Sequence, residues 1–311
     1  RSPGPLFMVS LSTCWNSHRH TDGREMLREI RDQGFEYAEL SHGIRISLLP
    51  GILEAVAARE MRISTVHNFC PLPIGVQHAN PNVFKFTSPE PRERENAVRH
   101  TLKTFETAER VGARLVVLHL GAVELKDYTE RLTELVGQNR RETSKYERLC
   151  AEVIEKREAR KERHQEAAYE CLRRLVPEAE RRGLLLGIEN REALEEIPFE
   201  TDFPLLFREF PDAVVRYWHD VGHAQIKENL GFIVHTMHLG AMADRLAGFH
   251  IHDVEFPARD HRPPGRGTVD FAALRRWVKP EHIRVFEMSP SVKAEDLRAG
   301  VEFLQRAWGA V

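Results

Sequence analysis

The sequence predicts an α/β protein, a (β/α)8 TIM barrel with a long charged helical insertion after its fourth strand. Apolar strand-like runs and helical patterns alternate eight times along the 311 residues, which favours parallel βαβ units. Four of these runs, all in the second half, end in an acidic or imidazole side chain: Glu189, Asp220, His250 and Glu287. In a (β/α)8 barrel such positions meet at the C-terminal mouth, where active sites lie.

The order of the predicted elements follows directly from the apolar patterns and turn residues. The eight strands are expected at residues 7–13, 35–40, 62–67, 114–121, 184–190, 213–220, 247–253 and 283–288. Helices are expected between and after them at 22–34, 48–61, 92–112, 202–210, 229–246, 270–278 and 295–308. The first helix ends at Gly34, a residue typical of a helix C-terminus.

The connection after the fourth strand is longer than one crossover helix requires. Residues 124–183 are dense in Arg, Glu and Lys and contain almost no Gly or Pro, which predicts long helices. Charged runs are usually solvated helix faces, but part of this segment, about 125–165, is expected to be an insertion, a dimer arm or a lid. No linker-like stretch interrupts the chain, so residues 1–311 are predicted to form a single domain.

Composition restricts the classes of partner. A hydrophobic content of 41% supports a buried core, and a formal net charge of -2 gives no general attraction to nucleic acid. No apolar run approaches the roughly 18 residues that a membrane span needs. The N-terminal residues 1–7 lack a signal-peptide core and an initiating Met, so we expect a trimmed or truncated start. The cysteines form no CxxC pair and predict no disulfide framework, which favours the cytoplasm: Cys14, Cys70, Cys150 and Cys171.

The strand-end residues have the chemistry of a metal site. Side chains alternate between the two faces of a strand, so Glu189 shares a face with Leu185 and Gly187, and Glu287 shares one with Val285. A charged group that ends an inward-facing apolar row is costly unless it is paired or bound to metal. Two Glu, one Asp and one His describe an oxygen-rich site for one divalent ion, Mn, Mg, Co or Zn.

A family resemblance rests on seven motifs that occur in order along the chain. They are GFEYAEL, VVLHLG, GIEN, HDVGHA, HIHD, PPGRGTVDF and VFEM. This set resembles the xylose-isomerase-like barrel superfamily, which includes sugar-phosphate isomerases and epimerases, inosose dehydratases and the endonuclease IV branch. The resemblance covers nearly the whole chain except about 125–165. It implies that a metal ion is held by Glu189, Asp220, His250 and Glu287.

The resemblance also suggests residues that contact the substrate. His223 matches a family position that touches substrate or a second metal. His250 and His252 compete for the ligand position on the seventh strand; His250 is favoured because HIHD then fits the H-x-x-D spacing, and His252 is left to contact substrate. His67 and His119 end strands in the other half of the barrel. In the endonuclease branch such histidines hold additional zinc, and in many isomerase-like members they line the pocket.

Two further positions refine this reading. Glu39 ends the second strand with inward phase and is expected to hydrogen-bond to the site. The endonuclease branch has an Asp-x-His pair after the seventh strand, where this chain has Arg259, Asp260 and His261. Arg259 takes the place of that Asp. A cation there opposes a multi-zinc cluster and suits an anionic or polyhydroxyl substrate, so Arg259 is predicted to bind substrate.

The leading functional hypothesis is a divalent-metal-dependent isomerase or epimerase. Its substrate would be a small sugar, sugar phosphate or hydroxy-keto acid, and the metal would stabilise an enediolate. Glu189 and Glu287 would take and return the proton as the catalytic pair. The family also suggests a homo-oligomer.

Three alternatives remain open. One is a sugar dehydratase of the inosose dehydratase type. Another is an endonuclease IV-like phosphodiesterase on abasic DNA, which His67, His119 and His261 support and which Arg259 and the net charge oppose. The last is a non-catalytic barrel that binds partners through its helical insertion.

Overall fold

Eight parallel strands form a closed barrel in the computed structural model, which describes residues 9–309. Each strand pairs with the next along the chain, and β8 pairs with β1 to close the ring, Val9 opposite Arg284. The strands are β1 Val9–Ser12, β2 Tyr37–Leu40, β3 Arg62–His67, β4 Leu115–Leu118, β5 Leu185–Glu189, β6 Val215–Asp220, β7 Leu246–Ile251 and β8 Ile283–Phe286. The predicted (β/α)8 barrel is therefore confirmed.

Helices fill the connections and cover the outside of the barrel. They are α1 Gly23–Asp32, α2 Leu49–Ala57, α3 Pro91–Val111, α4 Tyr128–Gly137, α5 Ser144–Arg181, α6 Phe203–Glu209, α7 Val221–Asn229, α8 His235–Met242, α9 Phe271–Leu274 and α10 Ala294–Trp308. α1 begins after Asp22, whose side chain accepts a hydrogen bond from the backbone N–H of Glu25 at 2.9 Å and so satisfies a free donor of the first turn. None of the helices in residues 9–309 combines the length and apolar composition that a membrane crossing requires.

The strand ends differ slightly from the sequence prediction. Phe7, Met8 and the rest of residues 1–8 lie outside the described part of the chain. β4 ends at Leu118 and β8 at Phe286, so that His119 and Glu287 open the following loops. After β4 the chain leaves the barrel, and Gly121–Ala122 pairs antiparallel with Glu196–Ile197. Asp253–Glu255 and Arg259–Arg262 form a second antiparallel pair after β7.

The helix predicted at 229–246 is present in part, as α8 His235–Met242, and α7 begins directly after β6, where no helix was expected. Asp220 caps α7 by accepting a hydrogen bond from the backbone N–H of His223 at 2.7 Å. Gly231 follows α7 with a φ of 82°, a left-handed conformation that ends a helix and suits glycine.

The predicted charged segment forms helices that lie on the barrel rather than projecting from it. α4 and the first half of α5 share a hydrophobic cluster with residues that follow β5, β6 and β7. The cluster contains Tyr128, Leu132, Leu135, Val136, Tyr146, Leu149, Val153, Leu194, Ile226, Leu230 and Val254. A buried ion pair between Arg157 on α5 and Asp202, with 2.5 Å between Nη2 and Oδ2, adds a polar attachment. The segment therefore builds one wall of the barrel mouth.

Trp218 fills the inside of the barrel below the mouth. It belongs to an interior cluster with Leu115, Val117, Ile283 and Val285. Glycine stands at the neighbouring inward positions because a Cβ at 248 would lie 2.5 Å from the indole, and one at 187 would lie 3.2 Å from Trp218 Cβ. The indole ring contacts His250 edge-on, with 5.1 Å between centroids. Trp218 thus forms an apolar floor for the residues above it.

Candidate active site

The four residues predicted to bind metal meet at one point in the mouth of the barrel. The Nδ1 atom of His250 lies 3.3 Å from Glu189 Oε1 and 3.4 Å from Glu287 Oε2. It also lies 3.8 Å from Asp220 Oδ2. All four side chains are buried. Strands β5, β6 and β7 and the residue after β8 therefore supply three carboxylates around one imidazole nitrogen.

The other ring nitrogen of His250, Nε2, is hydrogen-bonded to Glu39. His250 Nε2 lies 3.0 Å from Glu39 Oε2 and 3.2 Å from Oε1. Because a carboxylate only accepts, Nε2 is the donor. Thr65 donates a further hydrogen bond to Glu39 Oε2 at 2.8 Å. This chain of contacts fixes the ring orientation and agrees with the predicted supporting position of Glu39.

Strong electrostatic coupling accompanies this arrangement. Burial alone would raise the pKa of Glu189, but the neighbouring His119 and His250 outweigh it and hold that pKa well below its usual range. Burial would likewise raise the pKa of Glu287, and His250 and His261 lower it well below the ordinary value. For His250 burial favours the neutral ring, yet Glu287, Glu39 and Glu189 raise its pKa well above normal. Glu189 and Glu287 therefore stay ionised, and their negative charges favour a cation between them.

His67 and His119 approach the second oxygen of Glu189. Glu189 Oε2 lies 2.6 Å from His119 Nε2 and 3.4 Å from His67 Nε2. The two rings meet edge to face, with 4.8 Å between centroids. These three residues form a compact group of donor atoms that could hold a metal ion. The structure thus places both predicted histidines against the predicted catalytic carboxylate.

His223 and His252 both contact Asp220, but in different ways. His223 Nδ1 lies 3.4 Å from Asp220 Oδ2 and 3.4 Å from Glu189 Oε1. His252 Nε2 lies 3.0 Å from the Asp220 carboxylate, and its Nδ1 accepts a hydrogen bond from the backbone N–H of His261 at 3.0 Å. With Nδ1 used as an acceptor, Nε2 carries the proton that it donates to Asp220. His252 is fully buried and supports Asp220, and substrate contact by it stays a prediction.

The hairpin after β7 brings Arg259, Asp260 and His261 to the edge of the site. His261 Nε2 lies 3.5 Å from Glu287 Oε2, and its ring stacks on that of His252 with 4.3 Å between centroids. Asp260 Oδ1 lies 3.0 Å from His261 Nδ1. Arg259 is exposed and pairs with Glu255 at 3.3 Å. It does not join the buried group and stands at the rim.

Two cavities open beside the buried group. One of about 760 Å³ is lined by Glu287 and His261 from the site, by His42 and by Arg259 from the rim. The other, of about 840 Å³, lies under α4 and includes Glu192, whose Oε2 is 4.0 Å from His223 Nε2. The first cavity borders a predicted catalytic carboxylate directly, so it is the candidate space for a ligand.

Comparison with known proteins identifies the family of this chain. Residues 27–307 match the family model described as the xylose isomerase-like TIM barrel. The chain belongs to the xylose isomerase-like TIM barrel family. The resemblance noted in the sequence is thereby confirmed, and the match includes every residue of the buried group. No curated protein sequence matches this chain significantly.

Solved structures share the fold of this xylose isomerase-like barrel at low identity. L-ribulose 3-epimerase superposes with a TM-score of 0.68 at 14% identity, covering 97% of this chain and 96% of the other. 3-keto-D-glucoside 4-epimerase from E. coli gives 0.66 at 16% identity, covering 96% and 99%. The IolI protein with a bound zinc atom gives 0.65 at 13% identity, covering 97% and 99%. At such identities the likeness establishes the fold.

The donor set of this xylose isomerase-like barrel fits a divalent cation. A ring nitrogen carries at most one hydrogen, so His250 Nδ1 cannot satisfy Glu189, Asp220 and Glu287 together. Several buried carboxylates at one point repel each other unless a cation neutralises them. A divalent ion accepts all three carboxylates and the nitrogen lone pair at once. The residues present therefore fit the ion that the family implies.

Two residues at the site of this family member were not predicted. Arg191 is buried, and its Nη1 atom lies 3.0 Å from His119 Nε2 and 3.4 Å from Glu189 Oε1. It follows Glu189 by two positions, so the period of the strand could have indicated it. His42 was not among the predicted site residues, but its ring contacts His67 with 5.1 Å between centroids. No strand-end pattern marks His42, since it lies in the loop after β2.

Proposed function

We propose that this chain is a divalent-metal-dependent isomerase or epimerase of a small sugar, sugar phosphate or hydroxy-keto acid. The observation that carries the proposal is the convergence of Glu189, Asp220 and Glu287 on His250 Nδ1 at 3.3 to 3.8 Å. These four residues would hold one ion. One protein of the same fold, L-ribulose 3-epimerase, is an epimerase and supports this reaction class.

The ion would be Mn²⁺, Mg²⁺, Co²⁺ or Zn²⁺. Three carboxylates favour a hard cation, and the single imidazole also tolerates zinc. When bound, the ion supplies a Lewis acid that polarises the carbonyl of the substrate. Glu39 keeps the His250 ring oriented through Nε2, so that Nδ1 remains free for the ion.

Glu189 and Glu287 are the proposed acid–base pair. They enter from β5 and from the end of β8, and both are ionised in the resting site because their pKa values lie well below normal. One carboxylate would take a proton from the carbon beside the carbonyl, and the other would give back a proton that it has gained from water; exchange with water then restores both carboxylates. Return to the opposite face gives an epimer, and return to the neighbouring carbon gives an aldose–ketose pair. Loss of a hydroxyl instead would make the enzyme a dehydratase.

Four of the remaining predicted residues would bind the substrate. His67, His119 and His223 present ring nitrogens around Glu189, where they would hydrogen-bond to hydroxyl groups. Arg259 lines the 760 Å³ cavity and would contact a distal hydroxyl or an anionic group. For His252 the geometry favours a supporting contact to Asp220 over substrate contact.

The proposal is tested by isotope uptake in heavy water. The protein loaded with Mn²⁺ is incubated with ketopentoses, ketohexoses, their phosphates and hydroxy-keto acids, and deuterium incorporation is followed by NMR. We expect one substrate to gain a single deuterium beside its carbonyl and to yield an isomer. Water loss without isomerisation would favour the dehydratase. Cleavage of abasic duplex DNA, with no exchange in any sugar, would replace the proposal.

A phosphodiesterase of the endonuclease IV type is the second candidate. It is favoured by one observation, the group formed by His67, His119 and Glu189 Oε2, which has the nitrogen-rich chemistry of a zinc site. It is disfavoured by the formal net charge of -2, because DNA binding draws on basic surface. It requires more than one metal ion per chain, so a stoichiometry of one ion would exclude it.

Substitution of Gly222 tests the supporting contact behind the proposed metal ligand. A Cβ on Gly222 would lie 2.1 Å from His252 Cε1 and 2.3 Å from Nδ1, so Gly222→Ala must displace the ring that donates to Asp220. We expect the affinity for Mn²⁺ to fall about 10–100-fold, as measured by calorimetry. Gly137→Ala is the control, since its Cβ meets nothing closer than 3.8 Å. An unchanged affinity in Gly222→Ala would remove His252 from the support of Asp220.

A further inference from the structure

Arg191 lies inside the buried site and has no part in the proposed reaction. Its Nη1 atom is 3.0 Å from His119 Nε2, 3.4 Å from Glu189 Oε1 and 3.2 Å from His223 Nδ1. The side chain is 7% exposed. A guanidinium is charged at every accessible pH, so a permanent cation stands among groups that would otherwise be metal donors.

The guanidinium of Arg191 is held in place by Glu196. Arg191 Nε donates to Glu196 Oε1 at 3.0 Å, and Glu196 also accepts hydrogen bonds from the backbone N–H of Ala193 at 3.2 Å and from Asn82 Nδ2 at 3.1 Å. Glu196 belongs to the short sheet with Gly121–Ala122. Arg191 is therefore held by the scaffold and is not a mobile surface side chain.

The position of Nη1 conflicts with a metal ion on His119. A zinc ion binds an imidazole nitrogen at about 2.0–2.1 Å, and two ligands of one tetrahedral ion lie roughly 3.3 Å apart. Nη1 stands at about that ligand-to-ligand distance from His119 Nε2, 3.0 Å, yet it offers N–H groups and no lone pair. A metal ion held by His67, His119 and Glu189 would be repelled by the Arg191 guanidinium beside it, because no water shields the two positive charges in the buried site.

We propose that Arg191 takes the place of a second metal ion, so that the site holds one divalent ion and a built-in guanidinium. This rests on the proposed function in so far as the first ion is held by Glu189, Asp220, His250 and Glu287. The guanidinium would neutralise the negative charge of Glu189 on the side that faces His119 and His223. It would also distinguish this chain from a multi-zinc phosphodiesterase, in which the same histidines bind zinc.

Metal stoichiometry tests the proposal without any assay of turnover. Purified protein is equilibrated with excess Zn²⁺, desalted and analysed for metal per chain, and the experiment is repeated with Mn²⁺ and electron paramagnetic resonance. We expect one ion per wild-type chain and the signal of an isolated Mn²⁺. Arg191→Ala is expected to bind two zinc ions, and Arg191→Lys, which keeps the charge, to bind one.

A double variant locates the second ion. Adding His119→Ala to Arg191→Ala should return the stoichiometry to one, because the new ion depends on His119. Two ions or a coupled Mn²⁺ pair in the wild type would overturn the proposal even if Arg191→Ala failed to fold, and would leave the metal-dependent isomerase intact. One ion in folded Arg191→Ala would also overturn it. No ion in the wild type would overturn both proposals.

Discussion

Glu189→Gln is expected to abolish turnover and to lower the metal affinity more than any other single substitution at the mouth of the barrel. Glu189 is the residue shared by both sides of the site: Oε1 faces His250 Nδ1 at 3.3 Å, and Oε2 faces His119 Nε2 at 2.6 Å. Glutamine removes the negative charge and turns one of these oxygens into an N–H donor, which opposes both the ion and the imidazole N–H groups.

The expected magnitude follows from two separate losses. Removal of a positioned general acid or base costs about 10²–10⁴-fold in rate, and loss of a charged ligand from the ion removes the polarisation of the carbonyl as well. We therefore expect turnover of the substrate found in the heavy-water screen to fall by at least about 10³-fold. Metal per chain after desalting should fall to near zero.

Glu124→Gln is the matched control for this experiment. Glu124 lies on the same rim after β4, is 59% exposed and pairs with Arg163 on α5 at 3.0 Å. The same chemical change there should leave metal content and turnover unaltered. If Glu189→Gln retained full metal content and full turnover, the four convergent residues would have no catalytic function, and the non-catalytic barrel would become the better hypothesis.

The barrel and the convergence of its charged strand ends could be predicted because both follow local rules. The period of two along each strand marks Glu39, Glu189 and His250 as inward, and parallel closure brings inward residues at strand ends together. No long-range information is needed for that step. The structure adds the distances and the order of the contacts.

The parts that sequence missed depend on contacts between distant segments. Arg191 acquires its position through Glu196 and the short sheet with Gly121–Ala122, a pairing that two-residue strands do not reveal. The tautomer of His252 depends on the backbone N–H of His261, nine positions away in a hairpin. α7 was missed because its start is fixed by Asp220, a residue already explained as a metal ligand.

For the charged segment after β4, the sequence predicts the secondary structure but not the packing. Its composition correctly predicted helices, but the same composition fits a lid, an arm or a packed wall. The choice is made by apolar residues on other elements, such as Leu194, Ile226 and Val254, which cover α4 and α5. Those residues follow three different strands, so the contact becomes visible only when the barrel closes.

Lowering the pH from 7 to 5 is expected to destabilise the protein through a buried histidine network outside the site. Tyr217 O–H lies 2.8 Å from His219 Nδ1 and 2.8 Å from His238 Nε2, and His219 Nε2 lies 2.9 Å from His235 Nε2. His235 Nδ1 in turn lies 3.3 Å from Gln225 Oε1. Because each shared contact needs one donor and one acceptor, the network is satisfied when all three rings are neutral.

The direction of the pH effect follows from the pKa values. Burial lowers the pKa of His235 to about 3, helped by His238 and Lys227 and opposed by Asp220, and burial and Lys227 lower that of His238 to about 3. In the unfolded chain a histidine has a pKa of about 6.5. Between these values the unfolded chain binds more protons than the native one, so stability is complete above about pH 6.5 and falls as the pH decreases toward 3.

Because its native pKa is lowered, each of these two rings should reduce the free energy of unfolding by about 2 kcal/mol at pH 5, since one pKa unit corresponds to about 1.4 kcal/mol. His238→Gln keeps a side-chain donor for Tyr217 but does not titrate. We therefore expect the loss of stability between pH 7 and pH 5, measured by denaturant titration, to be about 2 kcal/mol smaller in His238→Gln than in the wild type. His78→Gln, in an exposed loop, should reproduce the wild-type difference. Because metal binding at the mouth changes with pH equally in all three proteins, an identical pH dependence in His238→Gln would mean that folding leaves the pKa of His238 near its unfolded value.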